Sequence, residues 1–123
     1  MSAFYVDLKS RTPIYEQLVE NISRMVLFGV LSPNESMPSV RQLASELGIN
    51  PNTIQKAYAE LERRGIIYSS PGRGSFVSDD VSALTEKRSL ELKESLRSIL
   101  SEAKNLGIKR EDVSVMIGDI YGG

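Results

Sequence analysis

One stretch of the sequence decides the fold: SVRQLASELGINPNTIQKAYAELERRG, residues 39–65. Apolar residues recur in it at spacings of three and four, which predicts two amphipathic helices, at 40–47 and 51–64. Three residues separate these helices, beginning with Gly48, a good helix end, and finishing with Asn50, a good helix N-cap. Two helices joined by so short a glycine-containing turn are typical of a helix-turn-helix.

The flanking sequence extends this motif on both sides. Upstream, apolar residues at helical spacing predict a helix at 13–29, with Thr12 as its N-cap. Downstream, residues 66–70 and 75–78 are rich in β-formers and are joined by a glycine-containing turn, as in a β-hairpin. We therefore predict a mainly helical α+β fold, with a winged helix-turn-helix domain over residues 11–78.

The remaining residues, 79–123, follow a different pattern. A hinge of small and acidic residues is predicted at 79–82, and two short helices follow, separated near Gly107, the second at about 110–121. Apolar residues of the first helix step by four and three, as in a coiled-coil seam, and helices this short are marginal in water alone. A second copy of the chain is the simplest partner, so we predict a dimerisation tail. Its interface residues are predicted to be Leu92, Leu96, Ile99, Ala103, Leu106, Val113, Met116, Ile117 and Ile120.

Composition restricts the chemistry that the 123 residues can perform. The chain has no Cys and no His, which excludes disulfides, thiolate and imidazole catalysis and the usual zinc and iron ligands. We expect no metal and no cofactor, and the scattered carboxylates make an enzyme the least favoured class. No apolar run is long enough for a membrane span and the N-terminus does not resemble a signal peptide, so we expect a cytoplasmic protein.

Charge and side-chain chemistry favour double-stranded DNA as the partner. The net charge is only −1, but residues 39–76 hold five Lys or Arg against three Asp or Glu. The helix at 51–64 begins with amides and a hydroxyl that suit base edges, Lys56 and Arg63 add charge along it, and two glycines flank an arginine in the hairpin turn. The predicted DNA-binding residues are Arg41, Asn50, Asn52, Thr53, Gln55, Lys56, Gly72, Arg73 and Gly74.

Each of these features also has a structural explanation. Asn50 is a good N-cap whether or not it contacts DNA, and the polar residues after it could form an ordinary solvated helix face. Arg73 could be a solvated residue in an ordinary hairpin turn. The DNA-binding hypothesis therefore depends on their combination on one recognisable module.

Five segments resemble the DNA-binding domain of GntR-family regulators: PIYEQL (13–18), MPSVRQLA (37–44), NPNTIQKAY (50–58), ELERRGII (60–67) and GRGSFV (72–77). The resemblance implies a bacterial transcriptional regulator. It also implies DNA contacts from the helix at 40–47, from the start of the next helix and from the glycine turn. Among the predicted site residues, the family pattern matches Arg41, Asn50, Asn52, Thr53, Gln55, Gly72, Arg73 and Gly74.

The Asn-Pro-Asn-Thr sequence and the short tail resemble the YtrA-like branch of this family. That resemblance implies a homodimer on a palindromic operator, most simply a repressor, and members of the branch often neighbour membrane-transporter genes. Pro51 and Gln55 stand where many members have Arg, so we expect each half-site to bind modestly and dimerisation to be necessary for affinity. The tail is too small to enclose a ligand pocket of about 300 Å³. The sequence leaves open whether a small-molecule effector binds elsewhere. It also leaves open whether the protein represses or activates transcription.

A second hypothesis uses the same features differently. A winged helix can bind protein, and the apolar seam over residues 92–106 could dock a helix from another protein instead of a second copy. The oligomeric state distinguishes the two hypotheses.

Overall fold

The computed structural model describes residues 4–122 and divides them into two compact units, the first ending at Thr85 and the second beginning at Glu86. The first contains three helices followed by a two-stranded ribbon, which confirms the predicted winged helix-turn-helix, and two further helices complete the chain. The elements are α1 (Ile14–Leu27), α2 (Val40–Leu47), α3 (Pro51–Arg63), β1 (Ile67–Ser70), β2 (Gly74–Val77), α4 (Val81–Asn105) and α5 (Arg110–Tyr121).

The core of the first unit lies where α1 and α2 pack on α3. Each helix contributes its apolar stripe, and the ribbon closes the core with Ile67 of β1 and Val77 of β2. Burying one such side chain contributes roughly 1.5–3 kcal/mol, so these residues together are the main source of stability of this unit. The largest fully buried residues are Leu18, Ile22, Val26, Leu43, Ile54, Leu61 and Val77.

Local capping explains the turn between α2 and α3. The Ser39 hydroxyl accepts a hydrogen bond from the Gln42 amide (3.0 Å), which caps α2 at its predicted first residue, Val40. Gly48 ends that helix with a φ of +66°, in the left-handed region that a β-carbon disfavours. Ile49 then packs against the core, and Asn50 caps α3. The sequence of caps fixes the short connection that defines a helix-turn-helix.

A buried tyrosine fastens α3 to the segment that precedes α2. The Tyr58 hydroxyl donates a hydrogen bond to the Pro38 carbonyl oxygen (2.7 Å). Burial raises the pKa of Tyr58 well above its usual value, and the nearby Glu46 carboxylate acts in the same direction. The phenol therefore stays protonated and remains a donor at neutral pH.

The ribbon is an antiparallel pair with Ile67 opposite Val77. The connector before α2 joins its edge, because Ser36 forms a bridge with Phe76 and the Met37 amide donates to the Ser75 carbonyl (2.9 Å). The connector thus joins the β2 edge of the wing to the segment that leads into α2.

The start of α1 differs from the prediction. Pro13 is itself the N-cap, Thr12 does not cap the helix, and α1 ends at Leu27, so the predicted range 13–29 is too long at both ends. The reason is the extended backbone of Pro13, with ψ of 144°, which keeps the proline outside the helix.

The predicted hinge at 79–82 is too long, because only residues 79–80 lie outside a helix and α4 already begins at Val81 and runs for 25 residues. The Asp80 carboxylate accepts a hydrogen bond from the Ala83 amide (3.1 Å), so this acidic residue initiates a helix and does not interrupt one. The first helix of the tail is therefore long, whereas α5 begins and ends close to the prediction. Gly107, with φ of +88°, lies in the turn between them.

No residue of α4 or α5 is buried. Two of the predicted interface residues, Ala103 and Val113, are half-buried. The other seven are exposed in the single chain: Leu92, Leu96, Ile99, Leu106, Met116, Ile117 and Ile120.

Candidate nucleic-acid interface

The two sides of α3 have opposite character. Its inner side consists of the buried residues Ile54, Ala57, Tyr58 and Leu61. The opposite side presents the predicted base-reading residues at the start of the helix, with Thr53 half-buried. The exposed base-reading residues are Asn50, Asn52 and Gln55, and Lys56 is exposed beside them. The core thus holds the helix from behind and leaves a polar surface in front of it, the arrangement needed to enter a major groove.

Asn50 has the structural role that its position predicts. Its side-chain oxygen accepts a hydrogen bond from the Asn52 amide (2.8 Å), which caps α3. The capping bond leaves the side-chain nitrogen as the group that could donate to DNA.

Arg41 differs from the arginines at the other end of α3. Its side chain is exposed on α2 and makes no hydrogen bond or ion pair with any residue between 4 and 122. Arg63 and Arg64 both donate to the Glu60 carboxylate, at 2.6–2.8 Å for Arg63 and 2.6 Å for Arg64. Arg63, which the sequence suggested as added charge, is therefore matched by an acid, whereas Arg41 is available to an external anion.

These hydrogen bonds change the titration of the acid. Arg63 first, and then Arg64, lower the pKa of Glu60 to about 2, and the same contact raises the pKa of Arg63. The cluster stays ionised at neutral pH with all three groups paired. It acts as a structural feature of the C-terminal end of α3.

An aromatic ring of α1 lies beneath Lys56. The Lys56 ammonium is 4.4 Å from the centre of the Tyr15 ring, within cation–π range. Sequence reasoning did not find Tyr15, because the contact joins residues of two separate helices and no local pattern announces it. The ring holds the lysine at the boundary between α1 and the exposed surface of α3.

The wing turn depends on its two glycines. Gly72 and Gly74 have φ of +75° and +111°, and a β-carbon at either would meet no atom within 4 Å. Glycine is therefore favoured at both positions by the positive φ of the backbone. Lack of space for a side chain is not the reason. Between them Arg73 is exposed, and its guanidinium carbon lies 5.5 Å from the centre of the Phe76 ring.

That ring belongs to a stack along the ribbon. Tyr68 stacks on Phe76 with ring centres 5.6 Å apart, and its hydroxyl donates to the Asn34 side-chain oxygen (2.7 Å). The stack supports the wing from its base, so Arg73 is presented from an ordered hairpin.

Two further classes of site are absent among residues 4–122. No group of three acidic side chains there could hold a metal ion. None of the helices formed by these residues combines the length and the apolar character needed to cross a bilayer.

Comparison with known proteins identifies the family to which this winged helix is similar. Residues 14–77 match the model of the family described as bacterial regulatory proteins, gntR family. The HTH-type transcriptional repressor YtrA of Bacillus subtilis is 39% identical over 116 residues, covering 94% of this chain and 89% of the relative. The likeness therefore includes the tail as well as the winged helix, in agreement with the predicted branch.

Two solved structures extend the comparison. A transcriptional regulator from Oenococcus oeni is 35% identical, with a TM-score of 0.75 and coverage of 98% of this chain and 99% of that one. The AraR DNA-binding domain, solved in complex with operator ORX1, is 31% identical with a TM-score of 0.53. It covers 61% of this chain and 93% of its own. The family-model match, residues 14–77, contains all the exposed site residues described above.

Proposed function

Because the chain belongs to the GntR family of bacterial regulatory proteins, we propose that it represses transcription as a homodimer bound to a palindromic operator. Family membership makes it a DNA-binding transcriptional regulator and not an enzyme. One observation supports the operator-binding mode above the others. The exposed amides at the start of α3 lie on the same module as an arginine, Arg41, that no acid within the described chain neutralises.

In this proposal α3 enters the major groove and reads base edges. Asn52 and Gln55 each offer a donor and an acceptor that match the adenine edge, and Thr53 can contact a base or a phosphate. Arg41 and Lys56 bind backbone phosphates on either side, which sets the register of the helix without reading sequence.

The wing contacts DNA beside α3. Positive φ at Gly72 and Gly74 turns the chain sharply around Arg73, so that the arginine and the backbone can approach a phosphate or the minor groove closely. The contact over Phe76 restricts the arginine before DNA arrives, which lowers the entropy lost on binding.

The tail supports the dimer in this proposal. Its predicted interface residues form an apolar set that the single chain does not bury. Burying them against a second copy would stabilise α4 and α5 and would place two reading helices on two half-sites. Pro51 and Gln55 are uncharged, so each half-site gains less from electrostatics than it would with Arg at these positions, and the second half-site becomes important.

The cellular location of this function follows from the DNA that the protein binds. A regulator of chromosomal DNA acts in the bacterial cytoplasm. Resemblance to the YtrA-like branch favours a neighbouring transporter operon as the target, and the genes beside its own gene would test that part of the proposal.

The operator-binding proposal is tested by selection from random duplexes. Purified protein should enrich an inverted repeat and should bind it more tightly than random duplex in the same salt. We expect Arg41→Ala to weaken binding about tenfold and to lower the dependence of log K on log salt by about 0.9 for each phosphate that the variant no longer neutralises. Arg64→Ala is the matched control and should change both values little, because Glu60 already pairs with Arg64. No preference for any selected site over random duplex would contradict the proposal.

The competing hypothesis uses the exposed seam over residues 92–106 to dock another protein. The same exposed leucines are compatible with both hypotheses, so the oligomeric state in solution decides between the homodimer and the protein-docking function. A chain that sediments as a monomer at micromolar concentration would favour the protein-docking function over the homodimer.

A further inference from the structure

We infer that residues 7–12, here called the clamped segment, form an additional interaction surface for the DNA backbone, in which Lys9 and Arg11 bind phosphates beside the recognition helix α3. The inference rests on the proposed function and adds a surface outside the helix-turn-helix and the wing. The clamped segment precedes the family-model match, which covers residues 14–77, and it contributes no residue to the hydrophobic core.

One side chain of α1 holds both ends of the clamped segment. The Gln17 side-chain oxygen accepts the Asp7 amide (2.7 Å), and its nitrogen donates to the carbonyl oxygens of Asp7 (3.0 Å) and Thr12 (2.7 Å). Within the segment, the Asp7 carboxylate accepts the Lys9 amide (2.9 Å) and the Asp7 carbonyl accepts the Ser10 amide (3.2 Å). The segment therefore has a defined shape fixed to α1.

The position of the clamped segment follows from Tyr15. Its ring lies 4.4 Å from the Lys56 ammonium, so the first turn of α1 borders the exposed surface of α3. Arg11 is four residues before Tyr15, and four extended residues span at most about 14 Å. Arg11 therefore lies within about 14 Å of Tyr15, the residue of α1 that contacts Lys56 of α3.

The charges of the clamped segment suit a polyanion. Lys9 and Arg11 are exposed, and neither side chain makes an ion pair with a residue in the described part of the chain. The one acid of the segment, Asp7, uses its carboxylate in the local turn. Two unmatched cations on the segment that leads into Tyr15, together with Lys56 above the Tyr15 ring, suit the phosphate backbone that continues past the groove.

The direct test is the double variant Lys9→Ala/Arg11→Ala. Phosphate binding is insensitive to sequence, so affinity for the selected operator and for random duplex should fall by the same factor, about tenfold. The salt dependence should fall by about 0.9 for each phosphate that the variant no longer neutralises. Both sites are exposed, so the variant should fold normally, as thermal melting would verify.

Arg24→Ala is the matched control. Arg24 is exposed on the same helix, nine residues after Tyr15, which places it on the opposite side at 3.6 residues per turn. It should leave affinity and salt dependence unchanged. If Lys9→Ala/Arg11→Ala behaves like Arg24→Ala on both duplexes, the clamped segment does not contact DNA.

The role of Gln17 is tested separately from that of the cations. Gln17→Leu should release the clamped segment and weaken binding, but should add nothing in the Lys9→Ala/Arg11→Ala background, since it acts through those cations. Full additivity would overturn the clamp. Failure of the wild-type chain to select any operator would contradict the proposed function. The reduced salt dependence on random duplex would still decide whether the clamped segment binds phosphates.

Discussion

The two units of this chain use apolar residues in opposite ways. Every buried apolar residue of the described chain lies in the first unit, ending with Val77, whereas α4 and α5 bury none. The first unit closes its core with its own side chains, but the tail exposes the residues that would make a core. The difference supports the proposal that the winged helix folds around its own core and that the tail packs against a second copy of the chain.

The same contrast holds for polar interactions. In the first unit, Tyr58 bonds to Pro38 at 2.7 Å, and Glu60 is bound by two arginines. In α4 the ion pairs are longer and lie between exposed groups of one helix, as in Arg97 with Glu94 at 3.4 Å. Exposed pairs of this kind contribute little, and the Glu60 pairs also lie within one helix, so the Tyr58 hydrogen bond is the tertiary constraint in this comparison.

Matched isoleucines test the contrast with the largest expected effect. Ile54 is 0% exposed and Ile99 is 62% exposed. We expect Ile54→Ala to lower the free energy of unfolding by about 2–5 kcal/mol, because burial is reduced and a cavity is left. Ile99→Ala should leave the free energy unchanged in solutions dilute enough for monomers, as measured by urea unfolding followed by circular dichroism. A destabilisation by Ile99→Ala that persists on dilution would show that the tail packs within its own chain.

Matched tyrosines should give a smaller effect. Tyr58→Phe removes the hydrogen bond to Pro38 and should cost about 1 kcal/mol, which corresponds to a fall of roughly 4–8 °C in Tm for a domain of this size. Tyr121→Phe, at a residue that is 84% exposed, should leave Tm unchanged. Equal shifts in calorimetry would contradict the view that only the first unit is constrained in this way.

Matched glutamates test the smallest effect, which depends on pH. The folded-state pKa of Glu60 is lowered from 4.5 to about 2, so its ionised form stabilises the fold above pH 4.5. That stabilisation is lost as pH falls from about 4.5 towards 2. Glu60→Gln should therefore destabilise the winged helix at pH 7, and its difference from wild type should shrink to nothing near pH 2.

Glu94→Gln is the control for this prediction. Its pair with Arg97 is long and exposed, so the free energy of unfolding at pH 7 should change by less than about 0.5 kcal/mol. Acid titrations of wild type and Glu60→Gln that run parallel down to pH 2 would contradict the role assigned to Glu60.

Local signals explain how much of the fold the sequence predicts. Ser39, Gly48 and Asn50 mark the helix ends through short-range capping, and the structure places the caps at those residues. The predicted hinge was too long because Asp80 is equally typical of a loop and of an N-cap, and only the Ala83 amide decides between them.

The candidate site divides along the same line. Exposure of the predicted readers follows from helical periodicity. The contacts of Lys56 with Tyr15 and of Gln17 with Asp7 join separate elements, so no local pattern reveals them. The pairing of Glu60 with Arg63 and Arg64 could have been predicted, since spacings of three and four bring such side chains together on a helix.

In the proposed mechanism, the tail joins two copies of the chain, so that one winged helix binds each half-site of the operator. This role of the tail is tested most directly by titrating wild type and Leu96→Glu/Ile99→Glu against a duplex with two half-sites and a duplex with one. We predict that wild type binds the two-site duplex about 100-fold or more tightly than the one-site duplex, whereas the variant binds both with the same weak affinity. A variant that sediments as a monomer and keeps wild-type affinity for the two-site duplex would contradict this claim.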